Sequence, residues 1–170
     1  MRWSTLATAL TSQCYWTNIM PQSLPSLNLP SFTPRIVVED SGQMIFDVFR
    51  KKYIALTPEE WVRQHFAHYL VDHLHYPRSL LKIECGLTVN GQKKRADIVV
   101  FGKDTQPFLV VECKSYDVKL GERTFQQSAW YNHTLQAPYL VITNGLHHYC
   151  CRIHHHQQRF EFQQGLPAYI

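Results

Sequence analysis

Residues 93–114, KKRADIVVFGKDTQPFLVVECK, constrain the fold more than any other stretch of the chain. Two apolar runs, Ile98-Val99-Val100-Phe101 and Phe108-Leu109-Val110-Val111, each have the length of a buried strand. Gly102-Lys103-Asp104-Thr105 between them is turn-like, so a hairpin is the natural link. Polar residues interrupt this apolar pattern at its ends: Asp97 opens the first run, and Glu112 and Lys114 close the second. A hairpin brings the start of one strand beside the end of the other, so Asp97 is expected near Glu112 and Lys114. Strand side chains alternate faces, which sends Glu112 and Lys114 to one side and Cys113 to the other.

Two carboxylates and an ammonium at adjoining strand ends suit one kind of chemistry. The carboxylates can hold a hard divalent cation such as Mg²⁺, which takes oxygen ligands and keeps several waters. Such a cation polarises a phosphoryl oxygen and helps to generate hydroxide. The lysine can orient or deprotonate the attacking water, or steady developing negative charge. The pattern is short, and the same residues also read as a strand-end ion pair, Glu112 with Lys114, beside an aspartate that belongs to the turn.

The 170 residues suit one domain with a real core, and 45% hydrophobic content argues against wholesale disorder. A formal net charge of +4 permits a phosphate-rich partner without requiring one. The basic groups Arg50-Lys51-Lys52 and Lys93-Lys94-Arg95 read first as solvated hairpin rims. Five cysteines, at positions 14, 85, 113, 150 and 151, form no CxxC pair. The odd count, with several in predicted strands, points to a reducing, cytoplasmic setting rather than a disulfide scaffold or a zinc ribbon. No apolar run has the length to cross a bilayer, so no membrane partner is expected. Residues 1–19 are too broken by Thr and Ser for a signal peptide, and Met20 is a candidate start.

In chain order, residues 1–34 read as an N-terminal extension whose Pro-, Ser- and Leu-rich part, 20–34, is an extended arm. Residues 35–56 carry short strands at 35–38, 44–48 and 52–56 that flank the main domain, 57–170. Thr57-Pro58-Glu59-Glu60 is a helix start, with Thr57 as N-cap, Pro58 first in the helix and Glu60 completing a capping box. Val62, Phe66, Tyr69, Leu70 and Leu74 follow at helical spacing as a core stripe, and Tyr76-Pro77 ends the helix. A strand at 80–89 and the hairpin signal Asn90-Gly91 lead into the two central strands. A second helix spans 122–135, closed by Pro138, and strands follow at 139–143, 147–153 and 159–162. This order predicts an α/β fold with a mixed sheet flanked by helices.

With these elements in place, Asp97 and Glu112-x-Lys114 resemble the core of the PD-(D/E)xK nuclease superfamily, αβββαβ. Gln127-x-x-x-Tyr131 resembles the QxxxY motif of its RecB-like branch; the spacing sets both on one helix face, a turn apart. The strings TPEEWVRQHF, KKRADIVVF, LVVECK and VITNG are similar to the N-terminal nuclease domain of type I restriction enzyme R subunits, in the small form found as a separate chain. The resemblance implies a restriction-endonuclease-like fold and a metal-dependent DNA endonuclease. It implies Asp97 and Glu112 as ligands of Mg²⁺ (or Mn²⁺), with the backbone carbonyl of Cys113 as a third and Lys114 near the attacking water. Gln127 and Tyr131 would complete the site or touch DNA, with Arg63, Lys93, Lys94 and Arg95 as further nucleic-acid contacts. Glu60 matches the first-helix acid that aids metal binding, though its capping-box reading stands beside this. Ala96 replaces the proline of the "PD" dipeptide and leaves the carboxylate intact. Glu84 points to a face the sequence leaves open, a surface acid before a site residue.

Other features are weaker. His154, His155 and His156 alternate faces in a strand, so they do not converge on one ion. His65 and His68 share a helix face without a matching Cys or acid motif. The chain has no GxxxxGK[ST] phosphate loop, so DNA translocation is expected to need a motor or other restriction-modification subunits as partners. The alternative function is a nucleic-acid-binding or assembly module that keeps the fold and has lost useful catalysis.

Overall fold

The computed structural model describes residues 24–89 and 91–169; for residues 87–89, 92–94, 130 and 131 the description is of the backbone alone. A small antiparallel sheet comes first, ordered β1 (Ile36–Glu39), β2 (Gly42–Asp47) and β3 (Lys52–Ala55). Gly42, at φ +118°, makes the tight link between the first two strands in a backbone region that favours glycine.

Helix α1 (Pro58–His68) starts as the sequence predicts. Thr57 is extended, and its Oγ1 accepts the Glu60 N–H at 3.1 Å. The expected capping box is only half made. The Thr57 N–H donates to the Ala55 carbonyl at 3.0 Å, and the Glu60 carboxylate accepts from Arg50 and Gln64 instead. A guanidinium is a stronger partner for a carboxylate than a neutral amide. The helix also stops short of Tyr76. It widens into a π-helical turn at Tyr69–His73, where the Leu74 N–H donates to Tyr69 O at 3.1 Å and the Tyr76 N–H to Leu70 O at 2.9 Å.

Among the described residues, the main sheet has six strands in sequence order: β4 (Leu81–Val89), β5 (Gln92–Phe101), β6 (Pro107–Cys113), β7 (Tyr139–Thr143), β8 (His148–His154) and β9 (Arg159–Gln163). Only β6 and β7 are parallel, and parallel neighbours need a crossover; α2 (Glu122–Leu135) supplies it. The Gly102–Thr105 turn closes the β5–β6 hairpin, with the Gly102 N–H donating to Gln106 O at 2.8 Å. The Asn90-Gly91 signal falls partly outside the described residues at Asn90, while Gly91 takes φ +75°.

Apolar residues cover both faces of the central strands. On the α1 face Val62, Phe66 and Leu70 pack with Ile98, Val100, Leu109, Val111 and Val141, all fully buried. On the other face Val99, Val110, Leu140 and Ile142 receive Phe125, Ala129 and Leu135 of α2. Residues 24–34 lie against the α1 side. There the Asn28 N–H donates to Gly145 O at 2.7 Å, and Trp61 Nε1 donates to Pro25 O at 3.1 Å. Gly145 combines φ +81° with a close approach, since a Cβ there would stand 2.9 Å from the Leu27 side chain and 3.1 Å from that of Val62.

Candidate active site

The site grows from the place where the β5–β6 ladder ends. The last paired residues are Ile98 and Val111, and the same register carried one residue further sets Asp97 across from Glu112. Beyond Ile98 the Cys113 N–H has no strand partner on that side, and Asp97 Oδ2 takes its hydrogen bond at 2.7 Å. On the other side β7 continues the sheet, and the Lys114 N–H donates to Thr143 O at 2.8 Å. Lys114 Nζ folds back to donate to Glu112 Oε1 at 2.6 Å, while Cys113 is wholly buried in the α1-face core. The predicted alternation therefore holds, and Asp97, Glu112 and Lys114 lie together.

Electrostatics ties the three. Burial first, and then the charge of Glu112, push the Asp97 carboxyl up to about 7, against the opposing pull of the Cys113 amide and Arg63. Burial works against the Lys114 ammonium, but the hydrogen bond to Glu112 and the charges of Glu112 and Asp97 outweigh it and raise its pKa. Two carboxylates that repel each other in a half-buried site fit a divalent cation, which removes that repulsion and supplies the charge that burial withholds. Among the described residues, no three His, Cys, Asp or Glu side chains are gathered closely enough to hold an ion by themselves. The fit thus rests on the two acids with backbone and water oxygens.

Behind this trio lies a network of charges, with Asp47, Glu60 and Arg63 buried and Arg50 and Glu84 half-buried. Arg63 is 8% exposed; it pairs with Glu60 one turn back, donates to Glu84 Oε1 at 3.0 Å and stands 3.6 Å from Asp97 Oδ1. Arg50 holds Asp47 through Nε at 2.5 Å, Glu60 through Nη2 at 3.0 Å and Glu84 through Nη1 at 2.5 Å. Gln64 donates to Glu60 at 2.9 Å, and Arg95 reaches Glu84 at 3.3 Å. Glu84 therefore belongs to the site's surroundings. Burial pushes its carboxyl up, but Arg63, Arg50 and Arg95 together hold it below the usual range.

The other predicted contacts are Arg95, Gln127, Lys93, Lys94 and Tyr131. Arg95 is mostly exposed, with a 63% accessible side chain. Gln127 is exposed on α2 and takes part in an interaction. The side chains of Lys93, Lys94 and Tyr131 lie outside the described residues. The three histidines do not converge: His154 pairs with Glu161 at 3.5 Å and His155 contacts the Ala137 carbonyl at 2.9 Å.

Sequence reasoning left Asp47 and Arg50 out of the site. Asp47 carries only a local signal, a turn in which its Oδ1 accepts the Phe49 and Arg50 amides at 2.7 and 3.0 Å. Nothing in the sequence announces that this turn reaches α1 and β4.

The element order αβββαβ, with acids at the adjoining ends of two central strands, defines a restriction-endonuclease-like α/β fold. The chain belongs to the family described as the type I restriction enzyme R protein N terminus (HSDR_N), whose model matches residues 58–167. Among solved structures it is similar to a fragment assigned to the HsdR subunit of a type I restriction enzyme from Vibrio vulnificus YJ016. The identity is 22%, the TM-score 0.39, and the match covers 52% of this chain and 19% of that one. The match therefore spans about a fifth of that subunit fragment. No curated protein matches the chain. Among the described residues, no helix is long and apolar enough to cross a membrane.

Proposed function

We propose that this chain is a metal-dependent DNA endonuclease domain that hydrolyses phosphodiester bonds, with Mg²⁺ or Mn²⁺ held by Asp97, Glu112 and the Cys113 carbonyl. The observation that carries this reading is the Cys113 N–H bond to Asp97 Oδ2 at 2.7 Å where the β5–β6 ladder ends, next to Glu112, whose Oε1 lies 2.6 Å from Lys114 Nζ. When bound, the cation supplies Lewis-acid charge to a phosphoryl oxygen. The chain's own residues do the rest. Asp97 and Glu112 hold ligand oxygens in place, and the Cys113 amide fixes the orientation of Asp97.

Without a bound cation, burial works against the Lys114 ammonium, but Glu112 and Asp97 raise its pKa and favour that form. Of the roles open to it, orienting water and steadying negative charge on the phosphate suit it better than proton abstraction. Glu60, buried among Arg50, Arg63 and Gln64, is held away from a direct ligand role and acts through Arg63. DNA would be met by Arg95, Lys93, Lys94, Gln127 and Tyr131, mostly through its backbone. Translocation and target choice would come from other subunits, and the four described cysteines, all free, suit a reducing cytoplasm.

Supercoiled plasmid incubated with Mg²⁺ or Mn²⁺ tests the reading. Nicking by the parent and not by Asp97→Ala or Lys114→Ala supports it. The second reading is a nucleic-acid-binding or assembly module that keeps the fold and has lost useful catalysis. DNA binding without nicking, unchanged by Asp97→Ala, would establish it instead.

A further inference from the structure

Glu84 has a backbone that a strand residue rarely adopts. It lies inside the nine-residue strand β4, yet its φ is +51°. A residue with a Cβ takes up this left-handed region only when its surroundings compel it, and such residues cluster at functional sites. The effect on the sheet is visible in the packing. Leu81 and Ile83 belong to the α1-face core, whereas Cys85 belongs to the opposite one. In β5, Ile98 and Ala96 are divided between the same two cores. Ile83 pairs with Ile98 and Cys85 with Ala96, so both strands exchange faces at one level, that of Glu84 and Asp97.

An unbroken strand would turn Glu84 away from Ile83 and from α1. The left-handed turn brings its carboxylate to Arg63 of α1 and to Arg50 instead. Arg63 is then shared. Its Nη1 lies 3.0 Å from Glu84 and 3.6 Å from Asp97 Oδ1, within hydrogen-bond distance of the first and outside it for the second. Its Nε is buried with no hydrogen-bond partner among the described residues, so the guanidinium has reason to move towards an acceptor that becomes available.

The geometry points to Glu84 as a positioning residue that holds Arg63 back from Asp97 and so keeps Oδ1 open for a cation. This rests on the endonuclease reading only where it concerns the metal. Without the Glu84 charge, Arg63 closes on Asp97, and the fixed cation competes with the bound one.

The test uses the full chain with Glu84→Gln, which keeps the shape and removes the charge. In metal-free protein, the side-chain resonances of Arg63 are followed by NMR with and without Asp97→Asn. The parent should respond little to Asp97→Asn, and Glu84→Gln should make the same resonances respond strongly. Manganese binding, read by electron paramagnetic resonance, should weaken about ten-fold in Glu84→Gln, the effect of one added close charge, and recover in Glu84→Asp. If Arg63 is as insensitive to Asp97→Asn in the Glu84→Gln protein as in the parent, the inference is overturned. If the Arg63 response appears while the parent binds no manganese, the endonuclease reading fails and the positioning role stands.

Discussion

The amide of Cys113 donates to Asp97 Oδ2 at 2.7 Å, across the gap where β5 and β6 cease to pair. The carboxylate thus takes the place of the missing strand carbonyl, and its second oxygen faces the charged groups of the site. One local event, the end of a ladder, both satisfies a backbone donor and presents an acid.

Asp97 makes stability depend on pH in the direction opposite to most carboxylates. Its pKa is raised to about 7, against an ordinary 3.8, so the folded protein holds this proton over a range in which the unfolded chain has lost it. The favourable contribution is complete below about 3.8 and is lost as pH rises towards 7, a difference of at most about 4 kcal/mol. With chelator present, Asp97→Asn should raise the melting temperature at pH 8, and the gain should vanish near pH 4. Equal gains at both values would contradict the buried acid. Added Mn²⁺ should stabilise the parent and not the variant.

Lys114→Met separates binding from chemistry. Loss of the ammonium beside Glu112 should reduce nicking by about 100-fold or more. Manganese affinity should stay the same or increase, because a competing positive charge is gone. A parallel loss of both would show that Lys114 builds the site instead of serving it.

Glu60 is 2% exposed and neutralises Arg50 and Arg63. Glu60→Gln leaves buried cations short of a partner and should cost roughly 3 kcal/mol in urea unfolding. A cost as small as that of a surface substitution would mean the network relaxes around the change.

Gly145→Ala meets two obstacles, a φ of +81° and a Cβ 2.9 Å from Leu27. The expected loss is more than about 1 kcal/mol, read as a lower melting temperature. Because the Gly145 carbonyl also accepts the Asn28 amide, limited proteolysis of residues 24–34 should accelerate in parallel.

What was legible in the sequence was local. Alternation and a Gly-containing turn place Asp97, Glu112 and Lys114 together, because a hairpin leaves few other arrangements. Thr57-Pro58 starts α1 by its own capping chemistry, and Pro138 lies just beyond the end of α2. Tertiary packing decided the rest. A left-handed Glu84 carries no signature, since the residue is not glycine and its arginine partners on α1 and in the Asp47 turn are distant in the chain. Asp47 and Arg50 share one turn, Glu60 lies on α1 and Glu84 on β4, and the pairing across these three exists only once they are stacked. Local propensity fixes the strands and turns; which charges are shut away from water together is a property of the assembled layers, and that is what shapes the surroundings of Asp97.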